Sequence, residues 1–241
     1  MNRFMPWMVA VALCAAPAGA FETDVIPTSA GDLQITFIGH GSLYLTFGNK
    51  VIHVDPYGKL ADYGQLPKAD LVLITHEHRD HLDPAALEKV LKPKTIVVAN
   101  AAAASQVSGS RSIKNGEVQT IDGVAIEAVP AYNLVHKRDN GEPFHPRGVG
   151  NGYILTFGET RVYIAGDTEN TPEMKALQDI DVAFLPMNLP YTMTPEMVAD
   201  AASRLKPKIL YPYHFGNTDT DELVKLLENH KEIDVRIRKM N

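Results

Sequence analysis

The stretch Thr75-His76-Glu77-His78-Arg79-Asp80-His81-Leu82-Asp83 packs three imidazoles and three carboxylates into nine residues of a chain with only nine histidines in 241. Side chains two apart in an extended segment share a face, so His76 and His78 can converge on one ion. A turn at Arg79 lets Asp80 and His81 face a second. Imidazole and carboxylate are ligands that zinc, manganese and iron accept. A solvated polar turn is the ordinary reading of a charged loop, but composition alone does not produce this clustering. Asp167 follows an apolar β-like run and stands five residues ahead of Pro172, far for the cap of a helix starting there, and could be such a cap or a further ligand. His214 ends another apolar run and could be a ligand or a satisfied core histidine. Asp55, just before Pro56, reads as the carboxylate that orients a metal-bound imidazole, or as a turn cap. His40, between Gly39 and Gly41, could line a cleft or only bond backbone. His53 lies mid-strand and reads as structural.

Short elements must position these groups. Leu33 to Ile38, Ser42 to Phe47 and Lys50 to Val54 read as antiparallel strands punctuated by glycines. Asp70 to Thr75 is a buried-looking strand, followed by a helix from Ala85 to Leu91 with Asp83 as cap and Pro84 in its first turn. Thr95 to Ala99 reads as a strand, Asn100 to Val107 as a short helix, and Glu117 to Ile121 with Val124 to Val129 as a hairpin across Asp122-Gly123. Tyr153 to Phe157 and Arg161 to Ala165 begin a second half. Leu155-Thr156-Phe157-Gly158 there repeats Leu45-Thr46-Phe47-Gly48 at an offset of 110. Then come helix Pro172 to Leu177, strand Asp181 to Leu185, helix Pro195 to Leu205 capped by Thr194, strand Lys208 to Tyr211, helix Thr220 to His230 and strand Asp234 to Ile237. This alternation predicts an α/β fold. Tyr132 to Asn151 has no apolar period and reads as an active-site loop whose Lys137, Arg138 and Arg147 could attract an anion.

Composition sets outer limits. The chain is 45% hydrophobic and 22% charged with a net charge of −6, which excludes disorder and gives no basic footprint for nucleic acid. Residues 1–20 combine Arg3, an apolar run from Met5 to Ala16 and Ala18-Gly19-Ala20, the pattern of a cleaved secretory leader. The expectation is one domain over 21–241, periplasmic or secreted, with no membrane anchor once the leader is cut. The single Cys14 leaves with it.

His76-x-His78-x-Asp80-His81 at a strand end, with Gly39-His40-Gly41-Ser42, Val54-Asp55-Pro56, Ala165-Gly166-Asp167-Thr168 and Tyr211-Pro212-Tyr213-His214-Phe215-Gly216, resembles the metallo-β-lactamase-fold hydrolases. Within them it is similar to the stand-alone branch that includes the ascorbate-phosphate lactonase type. The resemblance implies a four-layer αββα sandwich of two β-sheets flanked by helices, with two divalent metals, zinc or else manganese or iron, in a cleft at one edge. It implies His76 and His78 on the first metal, Asp80, His81 and His214 on the second, and Asp167 bridging both. The family's third histidine for the first metal falls where this chain has Asn133, a poor zinc ligand beside imidazole. Either Asn133 coordinates weakly or His145 or His136 reaches in, and His145 is favoured because Pro146 stiffens its segment.

The function so implied is hydrolysis of a lactone, another ester or a phosphodiester in a small molecule by a metal-bridging hydroxide, with Asp80 orienting the nucleophile. A β-lactamase and a non-catalytic metal-binding scaffold with a degenerate first site are the alternatives. Oligomeric state is not legible.

Overall fold

The computed structural model describes residues 21–241; the leader segment, 1–20, lies outside the described residues. Fourteen strands form two seven-stranded sheets. The first holds β1 (Glu22–Thr28), β2 (Gly31–Gly39), β3 (Ser42–Phe47), β4 (Lys50–Val54), β5 (Leu71–Ile74), β6 (Ile96–Ala99) and β7 (Arg111–Ser112), side by side in chain order. The second holds β8 (Val118–Ile121), β9 (Val124–Ala131), β10 (Gly150–Phe157), β11 (Thr160–Ile164), β12 (Val182–Pro186), β13 (Ile209–Tyr213) and β14 (Asp234–Val235). In each sheet the first three pairings are antiparallel and the last three parallel. The fold is therefore one strand pattern used twice, and the four-residue repeat marks equivalent ends of β3 and β10.

Hydrophobic periodicity explains the layers. In β5, Leu71 and Leu73 face one cluster, shared with Ile35, Leu45, Phe157 and Phe184, while Val72 and Ile74 face another with Leu82, Ala86, Leu87 and Val90. Period-two alternation in a strand buried on both sides divides its side chains between an inter-sheet core and an outer helix layer. That outer layer is α1 (Pro84–Val90) and α2 (Ala101–Ala104); α3 (Pro172–Ala176), α4 (Pro195–Leu205) and α5 (Thr220–Leu226) follow in the second half. Asp83 caps α1 by accepting from Ala85 N and Ala86 N, and Thr194 caps α4 by accepting from Met197 N, contacts of about 1 kcal/mol each. The αββα sandwich is as expected from the sequence.

Differences lie at edges. β1 buries only Ile26, so it carries little apolar alternation and gives no strand signal, yet it pairs with β2 along its whole length. The two-residue β7 was equally silent. Helix α2 stops at Ala104 rather than Val107, and α5 at Leu226 rather than His230. Residues 132–149 between β9 and β10 contain no strand or helix, only one bridge between Lys137 and Pro143. Among the described residues no helix is long and apolar enough to cross a membrane.

Candidate metal centre

The strand ends β4, β5, β11 and β13 deliver Asp55, His76, Asp167 and His214 to one edge of the sandwich. Three of the residues there, His40, Asp55 and His214, have left-handed backbones with φ of 50°, 44° and 47°. Such backbones carry strain in non-glycine residues and persist where their surroundings fix them. Gly41 permits a close approach, since a Cβ on it would lie 2.9 Å from His81 Cε1.

Donor atoms gather in three overlapping groups: His76, His78 and His145; His40, Asp80, His81 and His214; and His76, His81 and Asp167. His76 Nε2 and His78 Nδ1 are 3.0 Å apart. Asp167 spans the groups. Its Oδ2 lies 3.2 Å from His145 Nε2 and 3.8 Å from His76 Nε2, and its Oδ1 lies 3.5 Å from His81 Nε2 and 3.6 Å from His214 Nε2. Asp80 Oδ2 is 3.8 Å from His81 Nε2 and 3.6 Å from His214 Nε2.

The supporting hydrogen bonds set which ring nitrogen faces inward. Asp55 Oδ2 accepts from His81 Nδ1 at 2.8 Å and from the Thr75 hydroxyl at 2.6 Å, while Oδ1 accepts from Thr75 N at 2.8 Å. With its proton on Asp55, the Thr75 hydroxyl accepts from His76 Nδ1 at 3.0 Å. Both rings therefore turn Nε2 into the cleft, and Asp55 acts as the orienting carboxylate. Ser42 Oγ donates to Asp55 O and fixes the turn. His40 Nε2 bonds Asp80 Oδ2 at 3.1 Å, its carbonyl accepts from His214 N at 2.9 Å, and its ring lies 3.7 Å from that of His214.

Asn133 is not placed as a ligand. Its Oδ1 accepts from both His145 N at 2.9 Å and His145 Nδ1 at 2.7 Å, which uses both lone pairs and aims His145 Nε2 at Asp167. Asn133 Nδ2 donates to Glu169 Oε1 at 3.0 Å and Tyr191 O at 2.9 Å. His136 lies apart, its Nδ1 bonded to Glu169 Oε1 at 2.8 Å. Glu169, fully buried, also accepts from the backbone N–H groups of Leu134, Val135 and His136. It ties down the loop that carries His145. Neither Glu169 nor Thr75 stands out in the sequence; for Glu169 the signal is a polar run, Asp167-Thr168-Glu169-Asn170, directly after an apolar strand.

The electrostatics suit a cation. Burial foremost, then the neighbouring histidines, hold His76 well below the ordinary histidine pKa, in the neutral form that has a free lone pair. Burial acts to raise the Asp167 pKa, but His214 and His81 outweigh it and keep the carboxylate ionised. At His81 burial acts against the charged form, yet Asp167 and Asp55 outweigh it, so the surroundings favour positive charge there. His81 Nε2, His214 Nε2 and Asp167 Oδ1 are buried without a hydrogen-bond partner among the described residues. Orphaned buried groups of this kind are rare and call for an explanation. A nitrogen-and-carboxylate donor set converging on one spot fits a divalent metal.

The cluster floors a cleft of about 520 Å³ whose walls include Arg79, Arg138, Phe144, Asn188 and Tyr191. Of the three basic loop residues expected to attract an anion, only Arg138 lines it. Arg147 instead pairs with Glu173 at 2.6 Å on the surface.

Known proteins resemble this arrangement. The family model described as the beta-lactamase superfamily domain matches residues 34–214. A metal-dependent hydrolase of Methanoculleus marisnigri is 32% identical over 189 residues, 76% of this chain and 81% of that protein. One from Thermococcus kodakarensis is 32% identical over 219 residues, covering 83% and 95%. Among solved structures, a protein of Parabacteroides distasonis assigned as a metal-dependent hydrolase superposes with a TM-score of 0.88 at 52% identity, covering 92% of this chain and all of that one. A metallo hydrolase of Ignicoccus hospitalis superposes with a TM-score of 0.71 at 25% identity, covering 87% and 96%.

Proposed function

Because the chain belongs to the β-lactamase superfamily and is a metal-dependent hydrolase, we propose that it cleaves a small-molecule ester, in a lactone, another carboxylic ester or a phosphodiester, at a two-metal centre. The observation that carries this is Asp167, which presents one oxygen to each of two donor groups at the floor of an open cleft. His76, His78 and His145 would hold one divalent ion, and Asp80, His81 and His214 the other, with zinc best matched to the imidazole-rich set. Metal there supplies Lewis acidity, which brings the pKa of water toward about 7 and polarises the attacked oxygen.

The chain's own groups do the rest. Asp55 and Thr75 keep the His81 and His76 rings in the inward-facing tautomer. Glu169 and Asn133 do the same for His145 at one remove. His40 holds Asp80 Oδ2, and the other Asp80 oxygen, without a protein partner among the described residues, orients the attacking water. The leader-like residues 1–20 support placing this reaction outside the cytoplasm, a point that N-terminal sequencing of exported protein tests.

Turnover of bis(4-nitrophenyl) phosphate and an aryl lactone by metal-loaded protein tests the activity. The proposal expects release that chelation abolishes, metal restores and His78→Ala eliminates without loss of circular dichroism. Undiminished turnover by a folded, metal-free His78→Ala protein would overturn it.

A further inference from the structure

Four arginines of the described chain, Arg147, Arg161, Arg236 and Arg238, sit in ion pairs with carboxylates. The two that line the metal cleft, Arg79 and Arg138, have no carboxylate partner among the described residues. Arg79 comes from within the histidine cluster itself, between His78 and Asp80. Arg138 arrives from the loop opposite, where one side-chain hydrogen bond, from Nη2 to Phe144 O at 3.2 Å, and a place 5.1 Å over the Phe144 ring anchor its guanidinium. A guanidinium has five N–H donors, so most of Arg138's remain for a ligand. In a protein of net charge −6, two cations left unpaired in one cleft are a local reversal of the field.

Beside them the cleft is aromatic. Phe144 and Tyr191 meet edge to face at 5.0 Å, and Tyr191, 45% exposed, is joined by exposed Leu189 on its own loop. The Asn133 Nδ2 bond to Tyr191 O fastens that loop to the one carrying His145, so the aromatic wall and the metal floor are held in one register. Resting on the hydrolase reading above, we propose that Arg79, Arg138, Phe144 and Tyr191 form a recognition subsite, and that the substrate is an anionic ester bearing an aryl or comparably flat apolar group. The arginines hold the negative charge next to the scissile bond and the aromatic pair holds the apolar arm.

Calorimetric binding to the metal-loaded full chain tests this with three probes: benzylphosphonate, methylphosphonate and benzyl alcohol. Wild type is expected to bind benzylphosphonate about fivefold more tightly than methylphosphonate, and benzyl alcohol far more weakly than either. Arg79→Gln and Arg138→Gln, singly and together, should weaken both phosphonates, the pair by about tenfold or more at unchanged metal content. Tyr191→Ala, which leaves the Phe144 ring under Arg138 in place, should erase the benzyl advantage and leave methylphosphonate binding intact. Phosphonate binding that matches wild type in every arginine variant would overturn the proposal, since the metals alone would then hold the anion. Arginine-dependent binding without turnover of any ester would instead defeat the hydrolytic reading and leave the subsite standing.

Discussion

Both lone pairs of Asn133 Oδ1 are taken by His145, and Glu169 takes one of the amide's protons in return. Exchanging Glu169 for Gln puts a donor where five N–H groups converge, so Glu169→Gln should lower metal affinity about tenfold or more without unfolding the chain. Competition against a chelating dye reads this directly, and an unchanged affinity would limit Glu169 to loop stability. The histidine cluster was legible because its members are neighbours in sequence and strand geometry fixes where they point. Glu169 acts on residues some thirty positions away, a separation no local pattern encodes. His53 is fully buried, with Nε2 bonded to Pro67 O and Nδ1 without a partner among the described residues, and burial pushes its pKa down to about 4 from 6.5. Below pH 6.5 the unfolded chain binds a proton there that the folded chain refuses, so the folded state loses stability as pH falls from 6.5 toward 4. The loss approaches roughly 3 kcal/mol. Urea unfolding at pH 7 and pH 4.5 should show a shallower fall in His53→Gln than in wild type.

Strand ends carry the chemistry, so the elements matter through the precision of their last residues. Gly166, between β11 and Asp167, has φ of +66°, and a Cβ there would lie 2.7 Å from Asn151 O and 3.1 Å from Thr75 Cβ. Gly166→Ala should therefore cost about 2 kcal/mol or more and disturb Asp167 and Thr75 together, seen as a lower urea midpoint with reduced metal content. Retained stability and metal would show that the turn has slack. Elements with strong alternation were readable within a residue or two and helix α4 in full, whereas the capped helices α2 and α5 start near the expected residue but end three and four residues early. The edge strands β1 and β7 were not readable, because pairing to a neighbour rather than burial defines them.

At the scale of the molecule, the two half-patterns meet through the repeat that first revealed them: Phe47 and Phe157 pack at 5.0 Å, each from its own copy of Leu-Thr-Phe-Gly. Phe157 is fully buried, and Phe157→Ala should cost about 3 to 5 kcal/mol in a single cooperative transition. Separate unfolding of the two halves would show that the shared core couples them less than their packing implies. The metal centre draws on both halves, His76, His78, Asp80 and His81 from the first and His145, Asp167 and His214 from the second, so one ion count reports on the joined architecture. Metal equivalents per chain, measured by elemental analysis in wild type, His145→Ala, His136→Ala and His214→Ala, test the two-metal centre most directly. The account predicts two in wild type and in His136→Ala, and one in each of His145→Ala and His214→Ala. A single equivalent in wild type, or two retained in His145→Ala, would contradict it.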